Sequence, residues 1–413
     1  MSARCVVHRS LKKVQQRSSH AALSQDVSRV PAPPVRSRPG RLDAIIVPAS
    51  RPASCLKPAI NLAARLGVLL VVLCSKQTRA EQVAERVSTS PGARALVVEI
   101  PEDWDHPKFP TRTSSQAFRR PNADRASDLS AKRNIGLLLA RLHGWNKIVF
   151  VDDDVTLSRT DNVARLAGQL DRYQVAGMIV WDYPDNSVVC HARRTAGLPQ
   201  DVFLTGAVLG VHCNNLPLSF FPDIYNEDWF FFAREAASRQ LRGVGQATQL
   251  EYNPYASPDR ARGEEFGDLL AEGLFALLGE VDASVRFSEK LHAADEAYWS
   301  RFIEARHNVI TETMTLLRVA AERGGEHGRI SSALVSLRAA QHHLDHMITA
   351  EDCVSFVDAW QDDLEEWQTF SSGVNNVGST RDALDFLQLS TWTRAEFGGV
   401  TSQSGWLSNV VSH

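Results

Sequence analysis

The stretch from residue 147 to 155 constrains the fold of this chain most, because an apolar, β-rich run there ends abruptly in Asp152, Asp153 and Asp154. Such a run is typical of a buried parallel strand, and open α/β sheets bind ligands in the crevice at the carboxyl ends of their strands. Adjacent aspartates repel one another and are costly to desolvate, so they need a cation or a solvated edge. Because hard divalent cations prefer oxygen ligands, the triplet predicts a metal that bridges protein and phosphate. The simpler interpretation is a solvated acidic turn after a strand.

Apolar β-rich runs alternate with segments of helical periodicity on both sides of this stretch. The sequence predicts strands at 44–48, 68–74, 95–100 and 175–181 and helices at 56–66, 80–87, 130–142 and 162–170. Strand–helix–strand units at this spacing predict a mostly parallel α/β sheet. From about residue 263 onward the apolar pattern is helical, including a helix near 380–389.

Composition excludes several classes of protein. A chain of 413 residues with 44% hydrophobic content has room for two domains, or for one large domain with additions. The formal net charge of -3 provides no global basic field for nucleic acid. Six cysteines without a CxxC pair predict neither a zinc site nor a dense disulfide framework, and favour a cytoplasmic location.

The N-terminal segment is basic and then proline-rich. It has no apolar stretch typical of a secretory signal, and the longest apolar run, residues 66–74, is too short to span a membrane. We expect residues 1–40 to form a flexible, solvated basic segment and linker. A peripheral electrostatic contact with anionic lipid stays open.

A second acidic centre, Glu227 and Asp228, lies among aromatic residues downstream of a strand-rich region. Two such centres are what a nucleotide-sugar transferase needs: one holds a cation that stabilises the leaving diphosphate, and the other deprotonates an acceptor hydroxyl. Aromatic neighbours raise the pKa of a carboxyl by desolvation, which suits a base. The alternative is that this segment is the edge of the core.

Four stretches carry a resemblance to a known family: IIVPASRP at 45–52, LSAKRNIG at 129–136, FVDDD at 150–154 and NEDW at 226–229. They occur in the order seen in family 2 glycosyltransferases of GT-A fold. The chain resembles such an enzyme from about residue 43 to 275. The resemblance implies a GT-A, Rossmann-like, mostly parallel sheet over residues 41–280, followed by a helical region over 281–413 that packs against it or assembles copies of the chain.

The resemblance also implies roles for individual residues. Asp152 and Asp154 occupy the DxD positions and hold Mn²⁺ or Mg²⁺, with Asp153 the less certain member. The implied base is Asp228, with Glu227 beside it. The implied nucleotide-binding residues are Pro48, Ser50, Arg51, Ser75, Lys132, Arg133, Asp152 and Asp153. The implied substrate-side residues are Trp181, Asp182, Thr205, Gly206 and Ala207.

Lys132 and Arg133 lie one turn into a helix, where cations can face a diphosphate or form an ordinary solvated face. The implied activity is transfer of a sugar, such as a hexose, from a nucleoside-diphosphate donor to an acceptor hydroxyl, with inversion. The donor base, the sugar, the acceptor and a retaining outcome stay open.

Two other functions fit the same residues. The segment from Asp152 to Thr156 matches the DxDxT motif of haloacid-dehalogenase-like phosphatases, with Asp152 as nucleophile, but that chemistry needs a downstream lysine and only Lys290 follows, in a helical pattern. A non-catalytic GT-A-like scaffold is the third class. We expect His292 to be structural rather than a metal ligand, and the histidines at 342, 343 and 346 to lie on the surface.

Overall fold

The computed structural model describes residues 15–17, 19–28, 42–106, 112–183, 186–214 and 217–404. Its strands are β1 (Ser24–Asp26), β2 (Ala44–Ala49), β3 (Leu69–Cys74), β4 (Arg94–Glu99), β5 (Lys147–Val151), β6 (Val155–Thr156), β7 (Val175–Val180), β8 (Val208–His212), β9 (Leu241–Gln249), β10 (Thr391–Glu396) and β11 (Gly399–Ser404). They form a mostly parallel mixed sheet of order β1-β9-β7-β8-β5-β2-β3-β4-β10-β11, and β6 pairs with β9 off this path.

The helices cover both faces of the sheet, and those near the C-terminus of the chain form a bundle. They are α1 (Lys57–Leu66), α2 (Ala80–Ser88), α3 (Leu129–His143), α4 (Thr160–Gln169), α5 (Val188–Thr195), α6 (Glu227–Phe231), α7 (Ala233–Ala237), α8 (Pro258–Glu280), α9 (Phe287–Leu291), α10 (Glu296–Glu322), α11 (His327–Met347), α12 (Ala350–Gly373) and α13 (Thr380–Phe386). Short 3₁₀ turns at Arg112–Ser114 and Gln116–Phe118 lie in the long connection before α3.

The centre of the sheet has strands buried on both faces, as their near-continuous apolar sequences require. Every residue of β2 and of β5 is buried. Helix α3 packs closely on β5, since a Cβ on Gly136 would lie 2.7 Å from a ring carbon of Phe150. This close packing brings the first turns of α3 to the carboxyl end of β5.

One edge of the sheet collects the ends of several strands. Strands β3 and β5 both run parallel to β2, so their carboxyl ends meet there. Strand β8 is antiparallel to β5 and pairs Val208 with Val151, so the loop that precedes β8 reaches the same edge. Strand β7, antiparallel to β8, ends there as well. Side chains from distant segments of the chain therefore meet at this edge.

The predicted strands at 44–48, 68–74, 95–100, 147–151 and 175–181 are confirmed with small shifts at their ends, and so are the predicted helices that lie between them and near 380–389. The helical periodicity after residue 263 is also confirmed. The sequence did not predict α5, β9 or the β10–β11 hairpin. The hairpin extends the sheet beyond β4, where Trp392 pairs with Val98.

Part of the expected N-terminal tail is structured. Residues Ala21–Leu23 form a 3₁₀ turn, and β1 adds to the sheet in parallel with β9. Leu23 is buried in the core. The expected proline-rich linker over 30–40 and the basic residues before 15 lie outside the described residues.

Helices α10, α11 and α12 share one apolar core with the helices under the sheet. Phe230 of α6 and Phe266 of α8 contact the rings of Phe356 and Trp360 of α12 at edge-on angles. No helix within the described ranges is long and apolar enough to cross a membrane. The cysteines that the structure describes, all except Cys5, are free thiols.

Candidate active site

Asp153 fastens the loop after β2 to the end of β5. Its Oδ2 accepts hydrogen bonds from the backbone N–H groups of Ser50, at 2.8 Å, and of Arg51, at 2.9 Å. The Asp153 side chain is buried. A carboxylate that accepts backbone N–H groups in this way holds backbone in place. Asp153 therefore fixes the loop that the sequence predicts for nucleotide binding.

The side chain of Arg51 neutralises two of the three aspartates. Its Nη1 donates to Asp153, and its Nη2 lies 2.8 Å from Asp154 Oδ2. The same Asp154 oxygen accepts a hydrogen bond from Gln249 Nε2 at 3.2 Å. Burial by itself lowers the pKa of Arg51, but the charges of Asp154 and Asp153 outweigh it and raise that pKa. Arg51 is thus a fully charged counter-ion at the end of β5.

Arg133 connects the two acidic centres. Its Nη2 donates to Asp152 Oδ1 at 2.9 Å, and its Nη1 donates to Glu227. The Arg133 side chain is only 2% exposed. Burial works to lower its pKa, but the charges of Asp152, Glu227 and Asp228 raise it above the usual range. One buried guanidinium thus brings the acidic end of β5 and the acidic start of α6 together.

Gly206 makes this arrangement possible. A Cβ at this position would lie 2.5 Å from Arg133 Nη1, so any side chain would displace the guanidinium. The Gly206 N–H donates to Asp228 Oδ2, and the next carbonyl, that of Ala207, accepts from the Asp152 N–H at 3.0 Å. The Thr205–Gly206–Ala207 stretch therefore lies between the two acidic centres, next to both.

Burial raises the pKa of Asp228 well above the usual value of an aspartate. The residue is 7% exposed, and besides Gly206 it accepts from the Trp229 N–H at 2.9 Å. Burial, and then the charge of Glu227, raise the pKa of Asp228 to about 7. A carboxyl with this pKa accepts a proton from a reactant near neutral pH far better than an ordinary aspartate does.

Lys132 connects the ends of β2 and β3 at the same edge. It is buried, and its Nζ donates to Ala49 O at 2.8 Å and to Ser75 Oγ at 2.6 Å, and lies 3.1 Å from Asp128 Oδ2. Burial lowers the pKa of Lys132 despite the opposing charge of Asp128. Burial works to raise the pKa of Asp128, but its bond from Ser75 and the charge of Lys132 lower it.

Neither Lys132 nor Arg133 forms a solvated helix face, so that interpretation of the two cations is wrong. Their described contacts are to protein carboxylates, hydroxyl and carbonyl groups. They assemble the loops that surround the edge of the sheet.

A polar network lies behind the second acidic centre. Asn226 has a left-handed backbone, with φ of 62°, and its Nδ2 donates to Asp268 Oδ1 at 3.1 Å. The other Asp268 oxygen accepts from Arg306 Nη2 at 2.5 Å, and Arg306 also makes a bidentate pair with Glu265. Arg306 is fully buried. The network thus joins α8 and α10 to the residue before Glu227.

The N-terminal segment reaches the same region. His20 Nε2 lies 2.8 Å from Glu272 Oε2, and its ring meets that of Trp229 edge-on at 5.1 Å. Sequence reasoning missed His20, Asp268 and Arg306, and it gave Asn226 no role although this residue begins the NEDW stretch. The available signal was a run of acidic residues at helical spacing, from Glu264 to Glu272, inside an otherwise apolar helix.

The remaining predicted residues have varied positions. Pro48 is buried within β2. Trp181 is 64% exposed at the end of β7, on the edge of the sheet where the acidic residues lie, and Asp182 is exposed beside it. A solvent-facing tryptophan at this edge is available to contact a ligand.

The histidines and Lys290 lie away from this chemistry. His292 is exposed and contacts the carbonyl of Ser288 in its own helix, at 2.7 Å. The expectation that His343 lies on the surface is wrong: it is buried, and its Nε2 contacts Pro121 O at 2.7 Å. Lys290 Nζ donates to the carbonyl of Ala237 at 2.8 Å.

An open groove adjoins this edge. Glu102, Ser127, Asp128 and Asp223 are among its lining residues, and its volume is about 1420 Å³ including its mouth. Burial raises the pKa of Asp223, with Arg125 opposing the shift. Because Asp128 also contacts Ser75 and Lys132, the groove begins where the predicted nucleotide-binding loops end.

The donor chemistry at the end of β5 suits a divalent cation. Asp152 and Asp154 offer carboxylate oxygens, and Mg²⁺ typically takes one or two carboxylates together with substrate phosphates. The guanidinium groups of Arg51 and Arg133 show that this cluster recruits positive charge. Within the described ranges, no group of three or more histidine, cysteine, aspartate or glutamate residues is placed to hold a metal ion.

Comparison with protein-family models gave no match, and comparison with characterised proteins by sequence gave none either. Among solved structures, the chain is similar to the mannosyltransferase PcManGT from Pyrobaculum calidifontis in complex with GDP-Man and Mn²⁺. The identity is 15%, the match covers 87% of this chain and 92% of that one, and the TM-score is 0.39. A likeness this weak leaves fold and activity to be argued from the geometry of the chain itself.

Proposed function

We propose that this protein is a GT-A-type glycosyltransferase that moves a sugar from a nucleoside-diphosphate donor to an acceptor hydroxyl. The observation that carries the proposal is the bridge made by Arg133 between Asp152 and Glu227. This bridge brings the aspartates at the end of β5, which need a cation, and the buried pair Glu227 and Asp228 to one edge of the sheet. Sugar transfer requires two such acidic centres close together.

The donor lies along the loop that Asp153 holds, with its diphosphate toward the end of β5. Asp152 and Asp154 would hold Mn²⁺ or Mg²⁺, which when bound neutralises the charge that develops on a departing diphosphate. Ser50 and Arg51 lie on the same loop, and Ser75 lies beside it at the end of β3. Trp181, Asp182 and Thr205 lie on the acceptor side.

Asp228 acts as the base. Its pKa of about 7 lets it take the acceptor proton near neutral pH, and the N–H groups of Gly206 and Trp229 fix its two oxygens. Direct attack by the acceptor oxygen, assisted from this side, inverts the anomeric configuration. Glu227, paired with Arg133, keeps the carboxyl of Asp228 in a negative field that raises its proton affinity.

The phosphatase alternative finds no support at the site. It requires a lysine downstream of Asp152, and Lys290, the only lysine that follows, donates to the carbonyl of Ala237. A non-catalytic scaffold would bind the nucleotide sugar without transferring its sugar.

Thermal unfolding with a panel of nucleoside diphosphates and Mn²⁺ tests the proposal. A ligand that binds only the native state raises the unfolding midpoint with its concentration. We expect one nucleotide to raise it in the presence of Mn²⁺, and Asp152→Asn/Asp154→Asn to abolish the shift.

Asp228→Asn is the matched variant, expected to retain the nucleotide shift and to lose sugar transfer from the corresponding nucleotide sugar. No shift with any nucleotide, together with metal-dependent hydrolysis of a generic phosphate ester, would overturn the proposal in favour of a phosphatase. Proton NMR of the product gives the anomeric configuration.

A further inference from the structure

The two arginines at the acidic cluster differ in how they are held. Arg133 is 2% exposed and is enclosed by protein, whereas Arg51 is 43% exposed and contacts the cluster only through the end of its side chain and its backbone N–H. The exposed guanidinium can move into solvent, while the enclosed one cannot leave without opening the core. Arg51 is therefore the displaceable counter-ion of the pair.

The side chain of Arg51 can move without loosening its loop. The backbone N–H groups of Ser50 and Arg51 donate to Asp153 Oδ2, and Thr78 Oγ1 donates to the Arg51 carbonyl. These bonds do not involve the guanidinium. Loss of the side-chain pairs thus leaves the backbone of residues 50 and 51 where it is.

The guanidinium of Arg51 contacts Asp154, the carboxylate that a divalent cation would also use at this site. Asp154 Oδ2 already accepts from Arg51 and from Gln249. A divalent cation bound to Asp154 would repel the adjacent guanidinium and compete for its partner oxygen. The guanidinium of Arg51 and the cation therefore compete for Asp154.

We infer that Arg51 occupies the cation position of the donor-free protein and is displaced when a divalent cation binds Asp154. This inference rests on the proposed function. The released guanidinium, still anchored next to the cation by its own backbone, pairs with the diphosphate of the donor, since a planar guanidinium binds phosphate oxygens in a bidentate manner. The metal and the nucleotide thereby bind as a coupled pair.

Binding of Mn²⁺ alone, followed by electron paramagnetic resonance of the free ion, tests the inference. In Arg51→Gln we expect Mn²⁺ to bind about tenfold more tightly than in the wild type, since no ion pair has to be broken. Arg65→Gln, an exposed arginine of α1 without contact to the cluster, serves as the control for loss of one positive charge and is expected to bind Mn²⁺ as the wild type does.

The Arg51→Lys variant distinguishes displacement of the guanidinium from a simple effect of its charge on Mn²⁺ binding. Lysine keeps the charge but lacks the planar fork of the guanidinium, so it holds the two carboxylates less firmly, and displacement predicts Mn²⁺ affinity roughly threefold above wild type. If only charge acting through space matters, the Mn²⁺ affinity of Arg51→Lys equals that of the wild type. That result would overturn the inference. Equal affinity in Arg51→Gln and wild type would overturn it as well.

Nucleotide binding gives the second readout. We expect Mn²⁺ to increase the affinity for the nucleoside diphosphate more in the wild type than in Arg51→Gln, by about tenfold, because the variant lacks the released partner. Equal coupling in the two proteins overturns the inference while leaving the proposed function intact. Absence of Mn²⁺ and nucleotide binding in the wild type overturns both.

Discussion

Replacement of Asp228 by asparagine is expected to stabilise the protein at alkaline pH while it abolishes transfer. The folded protein holds the Asp228 proton up to a pKa of about 7, whereas the unfolded chain releases it near 3.8. The folded state therefore loses stability relative to the unfolded state as the pH rises from about 4 to 7, and the loss is complete above that. Asparagine cannot ionise and does not undergo this loss.

The magnitude follows from the size of the pKa shift. A shift of about 3 units corresponds to roughly 4 kcal/mol of free energy of unfolding at high pH. Asparagine accepts only one of the two backbone N–H bonds of Asp228, so it loses about 1–3 kcal/mol at every pH. This second effect cancels when the variant and the wild type are compared at two pH values. The stability difference between them should therefore rise by about 3 kcal/mol between pH 5 and pH 8.5.

Urea unfolding of both proteins at pH 5 and at pH 8.5 measures this difference, with tryptophan fluorescence as the signal. Asp201→Asn, the same chemical change at an exposed position, serves as the control. A difference between Asp228→Asn and wild type that stays constant within about 1 kcal/mol across this pH interval would refute the reasoning. The wild-type transfer rate should also rise as the pH passes through about 7, since the base is active when deprotonated.

Three further changes probe the surroundings of the site. Gly206→Ala should displace Arg133, cost about 1–3 kcal/mol of stability and lower kcat/KM at least about tenfold. Asn226→Gly keeps the left-handed backbone but loses the bond to Asp268, so we expect a lower kcat with an unchanged KM for the donor. Arg306→Met leaves two buried carboxylates of α8 unpaired and should lower the free energy of unfolding in urea by about 3–5 kcal/mol.

Each of these changes has a matched control elsewhere in the chain. Gly168→Ala, where a Cβ meets nothing within 4 Å, should be neutral or stabilising. Gln388→Gly, the control for Asn226→Gly, alters an exposed residue that also has a left-handed backbone. Arg301→Met removes an exposed charge from the helix that carries Arg306. If any control matches its partner in effect, the assigned contact is not the cause.

Local sequence predicted most of the strands and helices because their apolar pattern is strong. The run before Asp152 is buried on both faces, and Gly67 and Gly144 end helices with left-handed backbones as their positions indicate. Strand β9 was missed because Gly243 and Gly245 interrupt a polar sequence that carries little strand signal. The hairpin of β10 and β11 was missed for the same reason, since its residues are mostly polar.

The acidic residues of the candidate site could be predicted from the sequence. The side chains that pair with them could not. Motif order placed Asp152 and Asp228 in one site, and the structure brings Asp152 and Glu227, the neighbour of Asp228, to a single guanidinium. Which carboxylate Arg133 or Arg51 pairs with depends on backbone positions set by tertiary packing. The link from Arg306 to Asn226 joins elements far apart in the chain, and no local pattern encodes it.

The two outer ends of the sheet have a consequence for how the chain matures in the cell. β1 completes one end by pairing with β9, and the β10–β11 hairpin completes the other, with β10 paired to β4, which is made early. During synthesis, β4 therefore presents an unpaired apolar edge until residues 391–396 have emerged from the ribosome. We expect nascent chains that stop before residue 391 to engage chaperones or to aggregate, and ribosome-release assays of such chains to show this directly.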